Sequence, residues 1–248
     1  MVSLRRHLRK ALSEVACPRK PLVAYVGAAS GDDAGFQGWI GGEIERAGGR
    51  VVGVKLASPR AKLSSARAVL EGCDVVFVSG GDVHAGMNVL KDRGVLPLFH
   101  ALGREGRPMI GISAGSIMLG RAWVRFPEDE SPKKRGADER ASLFECMGLA
   151  PVHVDAHAEE DNWAELRVLL RLLAAVGEAR PVGFGLTCKG GVLVEPTVDG
   201  TKLSAFGTDA PRFVASGGRV AEAASLALGA STPVPETSPS PRRRAPAR

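Results

Sequence analysis

Residues Arg107 to Gly120 read RPMIGISAGSIMLG, a short apolar run that stops at Ser113 between small residues and continues into a helical pattern. A serine so placed is a candidate nucleophile. Gly111, Ser113 and Gly115 fit the G-x-S-x-G elbow, where a strand turns sharply into a helix and the serine adopts a strained backbone conformation that leaves no room for bulk nearby. Such a turn lifts the hydroxyl out at the carboxyl edge of a sheet and brings the Ala114 amide close to a developing oxyanion. The competing reading makes Ser113 a helix cap, a position where serine is favoured. A second apolar run, FVSGGD (Phe77 to Asp82), also ends in paired glycines, so its backbone can approach a ligand at the same edge and supply a second oxyanion donor from Gly81 or Asp82.

A serine nucleophile needs a base, and the chain has five histidines. His7 lies in a basic N-terminal stretch, and His84 and His100 fall in helical patterns. His153 and His157 lie in PVHVDAHAEE, where an extended backbone would put His153, Asp155 and His157 on one face. The residues alone leave His153 and His157 both open as the base. The four cysteines, Cys17, Cys73, Cys146 and Cys188, show neither a CxxC pair nor metal-ligand spacing. No metal and no cofactor are therefore expected, and a reducing, cytoplasmic setting is the simplest account.

The elements that must position these groups alternate. LVAYVGA (Leu22 to Ala28), RVVGVKL (Arg50 to Leu56), DVVFVS (Asp74 to Ser79) and PMIGIS (Pro108 to Ser113) are near-continuous apolar runs, as strands buried on both faces require. FQGWIGGEIERAG, KLSSARAVLEG and the span Val89 to Arg104 carry helical spacing between them. Strand and helix in alternation predict an α/β fold, a mostly parallel sheet with helices on both faces. Trp163 to Val176 reads as an amphipathic helix, and Gly183 to Leu186, Val192 to Glu195, Lys202 to Phe206 and Arg212 to Ala215 read as shorter strands that finish the fold antiparallel.

The charge of +6 sits at the ends. Residues 1–20 carry +5 and residues 231–248 carry +3, leaving about −2 for the body, and without interleaved aromatics these tails argue against nucleic acid as the main partner. No window approaches the roughly 18–20 apolar residues of a membrane span. The expected organisation is a basic leader over residues 1–20, one α/β domain over 21–228, and a disordered Pro/Ser/Arg-rich tail over 229–248. The charged segment Phe126 to Arg140 is expected as an exposed loop.

Taken together, three segments resemble the S51 serine peptidases, the family of dipeptidase E and cyanophycinase, whose fold is that of the class I glutamine amidotransferases and is flavodoxin-like. They are FVSGGDVHAGMNVLKDRGVLPLF, GISAGSIMLG and MGLAPVHVDAHAEEDNWAELRVLLRLL, in order over about residues 21–216. The resemblance implies that Ser113 is the nucleophile, that His157 is its base, because the family histidine closes an Asp/Asn-x-His-Phe strand, and that the amides of Gly81 and Ala114 form the oxyanion hole. The chain has Ala158 where that pattern has Phe. It also has Cys188 where the family's orienting glutamate would stand, in GFGLTCKGGVLVE. Asp155 and Glu159, with Glu160 and Asp161, are candidate replacements. Asp82 and Arg167, with Arg171 on the same helix, are candidate contacts for a small peptide or amide substrate. The implied activity is cleavage of a dipeptide or cyanophycin-like amide, with a homodimer compatible with the sequence; the alternative is a silent binding or regulatory relative. A glutamine amidotransferase would need cysteine in place of Ser113.

Overall fold

A computed structural model of the chain describes residues 2–15, 19–127 and 140–234. Its centre is a parallel sheet in the order β2-β1-β3-β4, made of β1 (Leu22–Val26), β2 (Arg50–Val54), β3 (Val75–Val78) and β4 (Met109–Gly111). All four residues of β3 are buried, which explains why the strand reads as an unbroken apolar run rather than an alternation. One face of the sheet, through Val23, Tyr25, Val75 and Phe77, packs on Ile40 and Ile44 of α2 (Ala34–Ala47). The other face, through Ala24, Val26, Val76 and Val78, packs on Leu70 of α3 (Leu63–Gly72), Met87 and Leu90 of α4 (Val83–Asp92), and Phe99 of α5 (Leu96–Arg104). Each of the fully buried valine, isoleucine, leucine, methionine and phenylalanine side chains among these contributes about 1.5–3 kcal/mol.

Beyond β4 come α6 (Ala114–Leu119) and a two-stranded ribbon, β5 (Ala122–Arg125) with β6 (Ser142–Glu145). β7 (His153–Ala156) then pairs in parallel with β8 (Val182–Leu186), and α7 (Ala164–Ala175) is the crossover between them. Antiparallel strands follow, as expected. β11 (Ala210–Ser216) and β12 (Arg219–Leu226) extend the β7/β8 sheet in the order β12-β11-β8-β7, while β9 (Gly191–Thr197), β10 (Gly200–Phe206) and β13 (Ser231–Pro233) form a separate three-stranded sheet.

Three expectations need correction. The basic leader folds: α1 (Val2–Ser13) buries Leu8 and Leu12 beside α2, and Arg5 donates two hydrogen bonds, 2.8 and 3.2 Å long, to the buried Glu43 carboxylate. Arg46 holds the same carboxylate at 2.5 Å, so two guanidiniums keep Glu43 ionised below the usual range. The span Val89 to Arg104 is two helices, because Gly94 takes a left-handed φ of 61° after α4 and Pro97 starts α5. The domain also runs past residue 228, since β13 pairs with β10 at Leu203 and Thr232. Residues 128–139 of the expected loop and 235–248 of the expected tail lie outside the described residues.

Candidate active site

Ser113 follows the end of β4 and precedes α6, with φ 50° and ψ −126°, a backbone conformation that a non-glycine residue rarely holds. Its neighbours explain how the turn is enforced. A Cβ on Gly111 would lie 2.7 Å from the Gly115 carbonyl, and one on Gly115 would lie 2.1 Å from the Val78 carbonyl oxygen. Both glycines are therefore needed sterically, and the elbow is pressed against the end of β3. The turn is tied by the Gly115 N–H to Ile112 O at 2.8 Å and by the Ser116 hydroxyl to Ser113 O at 2.5 Å.

The Gly80-Gly81-Asp82 turn comes off β3 at the same edge. A Cβ on Gly80 would sit 3.1 Å from the Cβ of Ser113, and Gly81, with φ 139°, passes so close to Ala29 that a Cβ would meet its carbonyl oxygen at 2.0 Å. The Asp82 N–H donates to that carbonyl at 2.8 Å, while the Asp82 carboxylate caps α4 by accepting from Ala85 N at 2.7 Å. Ala114 is the first residue of α6, so its N–H has no intrahelical acceptor.

His157 comes from the other half of the molecule. Its Nε2 lies 2.8 Å from Ser113 Oγ, within the reach that a nucleophile and its base require. The strand does not continue to this residue as an even alternation. β7 ends at Ala156, the His157 N–H donates to Leu186 O at 2.7 Å, and φ turns to 46°, which swings the ring out of the sheet to the exposed edge. His153, the other candidate base, stays in β7, 3% exposed, with Nε2 3.7 Å from Glu178 Oε1. Glu178 also faces Arg121 at 3.6 Å, and the His153 ring beside it holds its carboxyl below the usual range.

The two candidate acids separate in the same way. Asp155 is 3% exposed; its Oδ1 accepts from the Ala156 N–H at 2.7 Å and its Oδ2 has no hydrogen-bond partner. Burial, reinforced by the Glu165 carboxylate, pushes the Asp155 carboxyl up to about 7. Glu159 stands in the single turn after His157, and its Oε1 accepts from the Cys188 N–H at 3.4 Å. Cys188 itself is exposed. Among the described residues no carboxylate is hydrogen-bonded or ion-paired to the His157 ring. Glu165, half-buried at the start of α7, is also pushed up, by burial first and then by the carboxylates of Asp161 and Asp82. Sequence reading did not single out Glu165, because only the fold brings it near Asp82.

Arg167 is committed elsewhere than to a ligand. Three of its donors go to Asn162 O at 2.8 Å, Asn162 Oδ1 at 3.1 Å and Val220 O at 3.1 Å, and its guanidinium lies 4.7 Å over the Phe213 ring. Asn162 and Trp163, at φ 51° and 56°, join His157 as left-handed residues in this turn, each costing roughly 1–2 kcal/mol that packing must offset. Trp163 is buried against Gly185, where a Cβ would lie 2.6 Å from the indole. Asparagine's tolerance of this conformation was the one signal in the sequence.

The profile of peptidase family S51 matches residues 3–183. The chain belongs to peptidase family S51. Its fold is similar to that of a peptidase from an acI-B1 Actinobacterium, with a TM-score of 0.62 and 16% identity over 94% of this chain and 91% of that one. It is similar also to a putative peptidase E protein from Listeria monocytogenes EGD-e, with a TM-score of 0.50 and 13% identity over 89% and 94%. At these identities the likeness shows the fold. No curated protein matches the chain. Within the S51 match lies α1, so the N-terminal helix is part of the family domain. Among the described residues no helix is long and apolar enough to cross a membrane, and no group of three or more His, Cys, Asp or Glu could hold a metal ion.

Proposed function

We propose that this S51 member is a serine hydrolase that cleaves a peptide-like amide, a dipeptide or a cyanophycin-like linkage, through an acyl-enzyme. Ser113 Oγ attacks the carbonyl carbon and passes its proton to His157 Nε2. The Gly81 and Ala114 amides receive the oxyanion. His157 then returns the proton to the leaving amine as the C–N bond breaks, and a water, deprotonated by the same nitrogen, hydrolyses the ester and restores the serine. The observation that carries this reading is the 2.8 Å contact between a strained elbow serine and an exposed histidine from a different part of the chain. Of the two candidate acids, Glu159 is the one whose carboxylate reaches the main chain of Cys188, where the family's glutamate would stand; it makes no hydrogen bond to the His157 ring, so any support it gives the base is electrostatic and acts across the turn.

A panel of dipeptides and β-linked aspartyl substrates, followed by amine release, tests the proposal. Turnover should fall roughly a thousandfold or more in Ser113→Ala and in His157→Ala. Turnover that survives both changes would reject it. The second reading, a silent relative that keeps the pocket for binding, is favoured by Cys188 and by the absence, among the described residues, of a carboxylate on the His157 ring. It requires no turnover of any member of the panel by the wild-type protein.

A further inference from the structure

Resting on the hydrolase reading, we propose that Arg167 is a positioning residue for the base rather than a substrate contact, a clamp that fixes the turn carrying His157 and Glu159 onto the antiparallel strands. The turn between β7 and α7 has left-handed backbone at three non-glycine positions, His157, Asn162 and Trp163. Its own main-chain bonds are the Trp163 N–H to Ala158 O at 3.0 Å, the Asn162 N–H to Glu159 O at 3.1 Å and the Asp161 N–H to Ala158 O at 3.2 Å. These close the loop on itself; its entry is tied to β8 by the His157 N–H to Leu186 O at 2.7 Å, and the attachment of its far end, around Asn162, falls to side chains.

Arg167 supplies that attachment from the first turns of α7. Its Nε and one terminal nitrogen grip the carbonyl and the side-chain oxygen of the same residue, Asn162, in a planar fork. The other terminal nitrogen holds the Val220 carbonyl in β12, and the guanidinium stacks over Phe213 in β11. The Arg167 main-chain N–H also donates to Trp163 O at 3.0 Å, so helix, turn and sheet meet at one residue. A lysine keeps the charge but cannot make the fork or the stack. The base would then sample other orientations, and fewer molecules would hold Nε2 at the serine.

The test is fluorophosphonate labelling of full-length Arg167→Lys and Asn162→Ala, resolved into kinact and KI, together with hydrogen–deuterium exchange of the peptide spanning residues 156–163. Loss of positioning lowers kinact roughly tenfold in both variants with KI unchanged, and raises exchange in that peptide while the parallel strands stay protected. A general loss of structure would instead raise exchange throughout, and that result, or a kinact at the wild-type value, overturns the proposal. Exchange does not depend on catalysis. If wild-type protein fails to label, the hydrolase reading falls; unchanged exchange at residues 156–163 overturns the clamp whether or not labelling occurs.

Discussion

Ser113 and His157, the proposed nucleophile and base, are held in place by different means. On the Ser113 side the backbone itself is the constraint: Gly111, Gly115 and Gly81 stand where a single Cβ would run into a carbonyl at 2.0–2.7 Å. On the His157 side one main-chain bond, His157 N–H to Leu186 O, is joined by a set of side chains, with Trp163 under Gly185, Arg167 on Asn162, and Glu159 on Cys188 N–H. A backbone constraint fails all at once when a methyl group is added. A side-chain constraint loosens by degrees, and it can be rebuilt from other residues, as the pairing of Glu159 with Cys188 suggests a route for doing.

The contrast can be broken most severely at Gly115. Gly115→Ala places a methyl group 2.1 Å from Val78 O, and the expected outcome is a loss of roughly 3 kcal/mol or more, read as a fall of about 10 °C in Tm together with loss of serine labelling. Gly72→Ala, at the end of α3 where nothing lies within 4 Å, should leave Tm unchanged or slightly higher. Equal damage from the two changes would remove the steric account of the elbow.

Asp155 gives a smaller effect whose sign depends on pH. Its carboxyl titrates at about 7 in the fold against 3.8 unfolded, so between those values the folded state holds a proton that the unfolded state has released. Stability conferred by that proton is lost as pH rises through this window. Asp155→Asn, which keeps an oxygen for the Ala156 N–H, should therefore raise Tm by roughly 5 °C at pH 8 and change it little at pH 4. It should leave labelling intact, because Asp155 makes no bond to His157 among the described residues. A lower Tm at pH 8, or loss of labelling, would show that the charged form is the useful one.

The smallest effect sharpens the base side. Glu159→Gln should slow labelling about tenfold, while Cys188→Ser, which keeps the main-chain N–H that Glu159 meets, should stay within about twofold. Equal rates for Glu159→Gln and wild type would mean that Ser113 and His157 work as a pair without an acid.

What the sequence made legible follows the same division. Buried parallel strands announce themselves as apolar runs, and the elbow glycines stand at fixed offsets from Ser113, so β1, β3, β4 and the sharp turn at Ser113 could be read from composition and spacing. The partner of Ser113 could not be read from the residues alone, because which of His153 and His157 meets it depends on where β7 ends, which is decided by pairing with β8 rather than by local pattern. α1 was hidden by its charge, although Leu4, Leu8 and Leu12 recur at helical spacing; the partner of Arg5, Glu43, is 38 residues away. β12, RVAEAASL, is mostly exposed and alanine-rich, and only its neighbour β11 makes it a strand. Arg167 looked like any arginine on a helix until Asn162, Val220 and Phe213 closed around it.

The central claim is that Ser113 is activated by His157, and intact-mass analysis after a fluorophosphonate probe addresses it most directly. The account predicts one adduct per wild-type chain and none on folded Ser113→Ala or His157→Ala. A folded wild-type protein that takes up no probe, or an adduct that persists in Ser113→Ala, would contradict it.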